Sequence, residues 1–246
     1  MGYACVFDEV EGLVRVEAGE RFTIAATLVE NRRPAQPRLG ALEEEKLELA
    51  AVPDVVKGTA LTLMLAAVVA FGASVPVLAQ LDATETEDLL FMREEEKLAR
   101  DVYLNLFDAW GLTVFENISR SEQKHMEAIG KLIDNYGIED PVVDEESRGI
   151  YVDPDLQALY DVLMDIGVVS ATGGLVVGAT IEEKDIVDIQ DKIDSAHQDD
   201  IISAYESLMC GSRNHLRAFM QNLDAAGEPY APQFLTQQAF DAIVDG

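Results

Sequence analysis

Between residues 84 and 225 the apolar side chains recur at helical spacing in four long stretches, and each stretch sets polar, metal-capable groups in the middle of its own apolar stripe. The first stripe runs Leu89, Met92, Glu96, Ala99, Tyr103, Leu106, and the second Ile118, Glu122, His125, Ile129, Leu132. The third runs Leu175, Gly178, Glu182, Asp185, Ile189, Ile193, and the fourth Ile201, Tyr205, Leu208, Ser212, His215, Phe219. Helices packed along such stripes must bring several carboxylates and two imidazoles into one core. An uncompensated charge is costly there, and no Lys or Arg falls on the four stripes to offset it.

No run of strand alternation competes with the helical pattern, so the spacing predicts an all-α chain. Long helices are expected over 84–109, 113–136, 169–196 and 199–225, with breaks at Gly111, Gly137 and Gly227. The third must tolerate Gly173, Gly174 and Gly178 near its start. Short helices are expected over 154–164 and 232–244. The connection between the second and third long helices carries Pro141, Gly149 and Pro154. Two antiparallel hairpins joined by that one long crossover make a four-helix bundle.

Charge narrows the partners. Lys and Arg number 18 against 46 Asp and Glu, a formal charge of −28, and a chain that acidic lacks the cationic face needed to displace counterions from nucleic acid. Most of the acids fall after residue 80, so the acidity belongs to the helical part. Only Cys5 and Cys210 are present, too few for a disulfide scaffold or a cysteine-rich zinc module. Metal chemistry must therefore lean on carboxylates and on His125, His197 and His215, of which His197 is expected on the surface in the turn before the fourth long helix.

Metal ions would offset the buried carboxylates. A Glu from each of two helices with ExxH from the other two is the di-iron carboxylate pattern. Glu122 and His125 supply one such pair, and Glu96, Glu182, Asp185 and His215 complete the candidate ligand set. Glu183 competes with Glu182 for the inward position, and helical phase favours Glu182. Glu94 and Glu95 stand in a charge run with Arg93, Lys97 and Arg100 and are expected on a solvated face with i,i+4 pairs. Oxygen and imidazole donors suit iron, and also manganese or zinc.

Residues 57–79 read as one Lys followed by an uncharged apolar run ending in Val77, Leu78, Ala79. That is the form of a secretory signal peptide with a small-residue cleavage site, and a membrane anchor is the alternative. Residues 1–55 are then an extension or a start assigned too far upstream, 56–79 the signal or anchor, and 80–246 the exported domain.

The motifs on the four stripes resemble those of rubrerythrins in the ferritin-like superfamily. The string EKLARDVY, Glu96 to Tyr103, resembles their first-helix motif, and SEQKH, Ser121 to His125, resembles their second-helix ExxH. Glu182 and Asp185 are similar to the third-helix ExxE with Asp for the second Glu. GSRNHLRAF, Gly211 to Phe219, takes the place of the fourth-helix ExxH with Ser212 where a Glu would stand. The whole of 84–225 looks like a ferritin-like domain-of-unknown-function family found as secreted or anchored microbial proteins. The CxxC pair of a rubredoxin-type centre is missing.

The resemblance implies a ferritin-like bundle with one long crossover between helices 2 and 3 and two metal ions, iron foremost. A reduced metal pair would then act on a small oxidant such as peroxide or dioxygen in oxidase or peroxidase-type chemistry. An iron-handling protein and a purely structural helical module remain the alternatives. A membrane anchor through 57–79 and a homodimer are compatible with the sequence.

Overall fold

The computed structural model describes residues 81–246. The expectations for residues 1–55 and for the apolar run 56–79 lie outside the described residues. Among the described residues there are six helices and no strand: α1 (Ala83–Trp110), α2 (Thr113–Tyr136), α3 (Pro154–Gly167), α4 (Ala171–Ser195), α5 (Asp199–Ala226) and α6 (Gln237–Val244). None of these helices is long and apolar enough to cross a membrane.

Local chemistry sets the boundaries. Asp82 caps α1 in a reciprocal box with Glu85, and Asp153 and Ser170 cap α3 and α4 through their side chains. Gly111 and Gly137 end α1 and α2 in the left-handed conformation, φ 66° and 70°. Helix α6 starts at Gln237 rather than at 232, because the amides of Gln233, Phe234 and Leu235 are spent on the carboxylate of Glu183 at 2.9 Å each.

Side-chain pairs fix the topology. Tyr103 of α1 stacks on Phe115 near the start of α2, and Arg93 reaches the carbonyl of Met126, so α1 and α2 are antiparallel. Asp88 meets Lys192 while Tyr103 meets Glu182, so α4 also runs against α1. Glu122 faces His215 and Tyr136 bonds Asp200, which sets α5 against α2. Helices α2 and α4 therefore run parallel, and residues 137–170 must travel back along the bundle to connect them. Each of the four long helices presents its predicted stripe to the core; of the 23 stripe residues only Ile193 is partly exposed. Gly178 admits the ring of Phe219, which a Cβ would meet at 2.4 Å, and Phe219 in turn packs on Tyr103 at 5.3 Å between ring centres.

The crossover corrects one sequence expectation. Glu94 and Glu95 are not solvated; they are 4 % and 3 % exposed. The charge run lies beneath the returning chain, which supplies its partners. Glu94 accepts from the amides of Val152 and Asp153, Arg93 pairs with Asp140 and Glu145, and Lys97 donates to the Ser147 carbonyl at 2.7 Å. Asp101, fully buried, takes Lys97 at 2.5 Å, the Gly149 amide and the Tyr151 hydroxyl. Glu95 pairs instead with Lys184 of α4 at 2.8 Å. Burial works against the Lys184 charge, but Glu95 and Asp188 outweigh it and raise its pKa.

Buried acids also anchor backbone elsewhere. Glu85 accepts from the amides of His197 and Gln198 in the α4–α5 turn, and Glu183 holds the C-terminal segment through three amides and the Tyr230 hydroxyl. Backbone N–H groups inside a protein need such acceptors, so several acids in this chain hold segments in place.

Candidate metal centre

The antiparallel register brings the polar centres of the four stripes to one level. Helix α1 contributes Glu96, α2 contributes Glu122 and His125, α4 contributes Glu182 and Asp185, and α5 contributes Ser212 and His215. All seven are buried, the histidines at 8–9 % exposure and Glu96, Glu122 and Glu182 at 1 % each.

Six of them were the candidate ligands, and five form two overlapping groups. Glu96, Glu122 and His125 each offer a ligand atom within 4.8 Å of the others, and so do Glu122, Glu182 and His215. Glu122 belongs to both. Its Oε2 lies 2.8 Å from His125 Nδ1 and its Oε1 2.8 Å from His215 Nδ1. On the outer sides, Glu96 Oε2 is 3.2 Å from His125 Nδ1, and Glu182 Oε2 is 3.4 Å from His215 Nδ1. The two imidazoles stack 5.5 Å apart. Glu182 is thus the inward residue of its pair, as helical phase predicts.

Asp185 stands beside these groups and belongs to neither. It accepts a hydrogen bond from the Ser212 hydroxyl, whose oxygen also lies 3.0 Å from the Leu208 carbonyl. Tyr103 donates to Glu182 Oε1 at 2.5 Å, leaving Oε2 to face His215. His197 is exposed in the α4–α5 turn, in keeping with its sequence reading.

Burial and mutual charge set the protonation of the cluster. Burial, only partly offset by His125, pushes Glu96 up to about 8, and burial likewise raises Glu182. Burial also raises Asp185, with the surrounding carboxylates adding to it. Glu122 goes the other way: burial would raise it, but the two imidazoles together hold it well below the carboxylate range. Burial opposes charge on His215 too, yet Glu122 and Glu182 lift it to about 10, and Glu96 and Glu122 raise His125 in the same way.

The donor set fits a pair of metal ions. Ligand atoms about 2.1 Å from a shared ion lie roughly 3.0–3.4 Å apart at right-angled to tetrahedral geometry, and the four His–Glu contacts span 2.8–3.4 Å. Glu96 Oε1, Glu122 Oε1, Asp185 Oδ1 and His215 Nδ1 are buried without a hydrogen-bond partner. His215 Nδ1 and Glu122 Oε1 approach each other without hydrogen-bond geometry, so both atoms remain available to a third group between them. Buried orphan atoms of this kind ask for a missing partner.

A family model described as "Uncharacterized protein domain (DUF2202)" matches residues 85–246. The chain belongs to this family. A relative from Methanocaldococcus jannaschii, "Uncharacterized protein MJ0754", is 46 % identical over 160 residues, which is 65 % of this chain and 86 % of that protein. The crystal structure of hypothetical protein MJ0754 from Methanococcus jannaschii DSM 2661 aligns with a TM-score of 0.66 at 44 % identity, covering 68 % of this chain and 94 % of that chain. The DUF2202 match begins in the first turn of α1 and takes in all six candidate ligands.

Tyr103 was legible as a core aromatic able to hydrogen-bond a carboxylate of the site, and the α1–α4 register makes Glu182 its partner. One feature of the site escaped sequence reasoning. Gly211 sat unexplained inside the fourth-helix motif, although an isolated glycine in a helix pattern is itself a sign of close approach.

Proposed function

We propose that residues 80–246 form a ferritin-like dimetal carboxylate domain, with iron as the working metal and a small oxidant, peroxide or dioxygen, as the substrate. The observation that carries this reading is the placement of Glu122, whose two oxygens face two separate His–Glu groups, with its Oε1 and the facing His215 Nδ1 both buried and unpartnered. The parallel α2 and α4 with their lengthwise crossover support the ferritin-like assignment.

In this reading Glu96, Glu122 and His125 would hold one metal ion and Glu122, Glu182 and His215 the other. Bound iron supplies the one-electron steps that reduce the oxidant; oxygen and imidazole donors accept manganese or zinc as well. The protein's part is orientation and exclusion of water. Tyr103 fixes Glu182 Oε1 so that Oε2 stays turned toward His215. Ser212, where a carboxylate would complete the motif, instead donates to Asp185 and leaves Asp185 Oδ1 free of hydrogen bonds. The fully buried Leu89, Met92, Phe115 and Phe219 keep the bundle core dry.

The redox assignment is tested by loading the chain anaerobically with ferrous iron and adding peroxide or dioxygen. Consumption of oxidant in proportion to bound iron is expected. Bound iron that leaves both oxidants untouched would reduce the domain to a metal-holding bundle. The proposal also places the domain outside the cytoplasm, on the signal-like run 57–79. Intact-mass measurement of exported material should give a chain starting close to Gln80, and the full chain recovered outside the cell would refute that cleavage.

A further inference from the structure

Gly211 occupies the middle of α5, one residue before Ser212. A glycine in a helix interior is less favourable than alanine, so its presence there calls for a local reason. The neighbour that a side chain would strike is a candidate ligand. A Cβ on Gly211 would lie 2.5 Å from both Cε1 and Nε2 of His125, but 3.7 Å from Cε1 of His215. The first contact is far inside van der Waals range and the second is ordinary.

The His125 ring has little freedom to retreat. Its other edge faces Glu122 and Glu96, with Nδ1 at 2.8 and 3.2 Å from their oxygens, and it stacks on His215. Moving the ring away from α5 would drive it into the carboxylates it has to meet.

We propose that Gly211 is a positioning residue of this site: it leaves a notch in α5 that seats the His125 ring so that Nδ1 reaches Glu96 and Glu122. This deepens the dimetal reading and rests on it. The consequence is an asymmetry between the two halves. Filling the notch displaces His125 from the Glu96–Glu122 half, while Glu122, Glu182 and His215 keep their places, because Gly211 makes no comparably close approach to His215.

The test uses the full chain as wild type, Gly211→Ala, His125→Ala and the double variant. Each is loaded with zinc, passed through gel filtration and assayed for zinc per chain, and each is melted in the metal-free form. Wild type should retain two zinc ions per chain and Gly211→Ala one. Metal-free Gly211→Ala should melt below wild type, yet the same substitution made in the His125→Ala background should leave melting unchanged or raise it, since the ring is gone and alanine favours the helix. If Gly211→Ala alone cannot be purified, recovery of a folded double variant supports the same conclusion. Two zinc ions in Gly211→Ala would overturn the proposal, as would an equal loss of melting temperature in both backgrounds or a double variant that fails to fold. A wild type that binds no zinc, iron or manganese defeats the dimetal reading itself, and the metal-free double-mutant cycle then still decides whether Gly211 seats His125.

Discussion

Replacing Glu122 with alanine is expected to abolish the rise in melting temperature that metal gives the wild-type chain. Glu122 is the residue common to both ligand groups, so its loss leaves each half with one imidazole and one carboxylate. An ion present at a hundredfold excess over its dissociation constant stabilises the folded state by about 2.7 kcal/mol. Two such ions should raise the melting temperature of a domain of this size by roughly 10–20 °C, at about 2–4 °C per kcal/mol. His125→Ala should keep about half of that gain, because the Glu122–Glu182–His215 group survives it. The comparison is between metal-free and loaded forms of each variant, since Glu122→Ala also strips both imidazoles of a shared partner and lowers the metal-free baseline. A loaded Glu122→Ala chain that gains as much as wild type would place the metal elsewhere.

The metal-free protein should lose stability as pH rises from 5 to 9. Glu96 is held at about 8 in the folded chain against an ordinary value of 4.5, so between those limits the folded state keeps a proton that the unfolded chain releases. His215 is held at about 10 against 6.5 and acts in the same sense over that higher window. Both contributions are complete at the low end and disappear as pH climbs through the folded value. Glu122 has the opposite sign: its depressed value adds stability above 4.5 that is lost in stronger acid, which puts the optimum near pH 5. The cluster titrates as a unit, and the combined decline is on the order of several kcal/mol, roughly 10 °C in melting temperature. Metal requires the same groups deprotonated, so loading should tighten with pH and flatten or reverse the slope. Melting curves of chelator-treated protein at pH 5, 7 and 9 decide it; a level or rising trend would show that these carboxyls are not protonated in the fold.

How much of this was legible in the sequence depends on where each residue finds its partner. Glu96, Glu122, His125, Glu182 and His215 sit on stripes defined by helical phase, and phase alone points them at one core. Helix ends were equally readable where Gly111 and Gly137 stop α1 and α2 in the left-handed conformation. The far side of α1 was not. Arg93, Glu94, Lys97 and Arg100, with Glu94 and Lys97 at i,i+3, read as a charged solvent face, and only the returning crossover, some 45 to 60 residues later in the chain, turns that face inward. A hint was available: with the charges of 93–101 added to its apolar stripe, little of this part of α1 is left as a neutral polar face. The start of α6 was hidden in the same way, since the amides of Gln233, Phe234 and Leu235 are held by Glu183, some 50 residues earlier in the chain, and delay that helix.

The dimetal assignment is tested most directly by counting metal in the full chain purified without chelators, by element analysis against protein concentration. Close to two ions per chain, falling to near none in Glu122→Ala, is the expected result. A wild-type chain that folds, melts cooperatively and carries no iron, manganese or zinc even after loading at neutral pH would contradict it and leave the bundle a structural module.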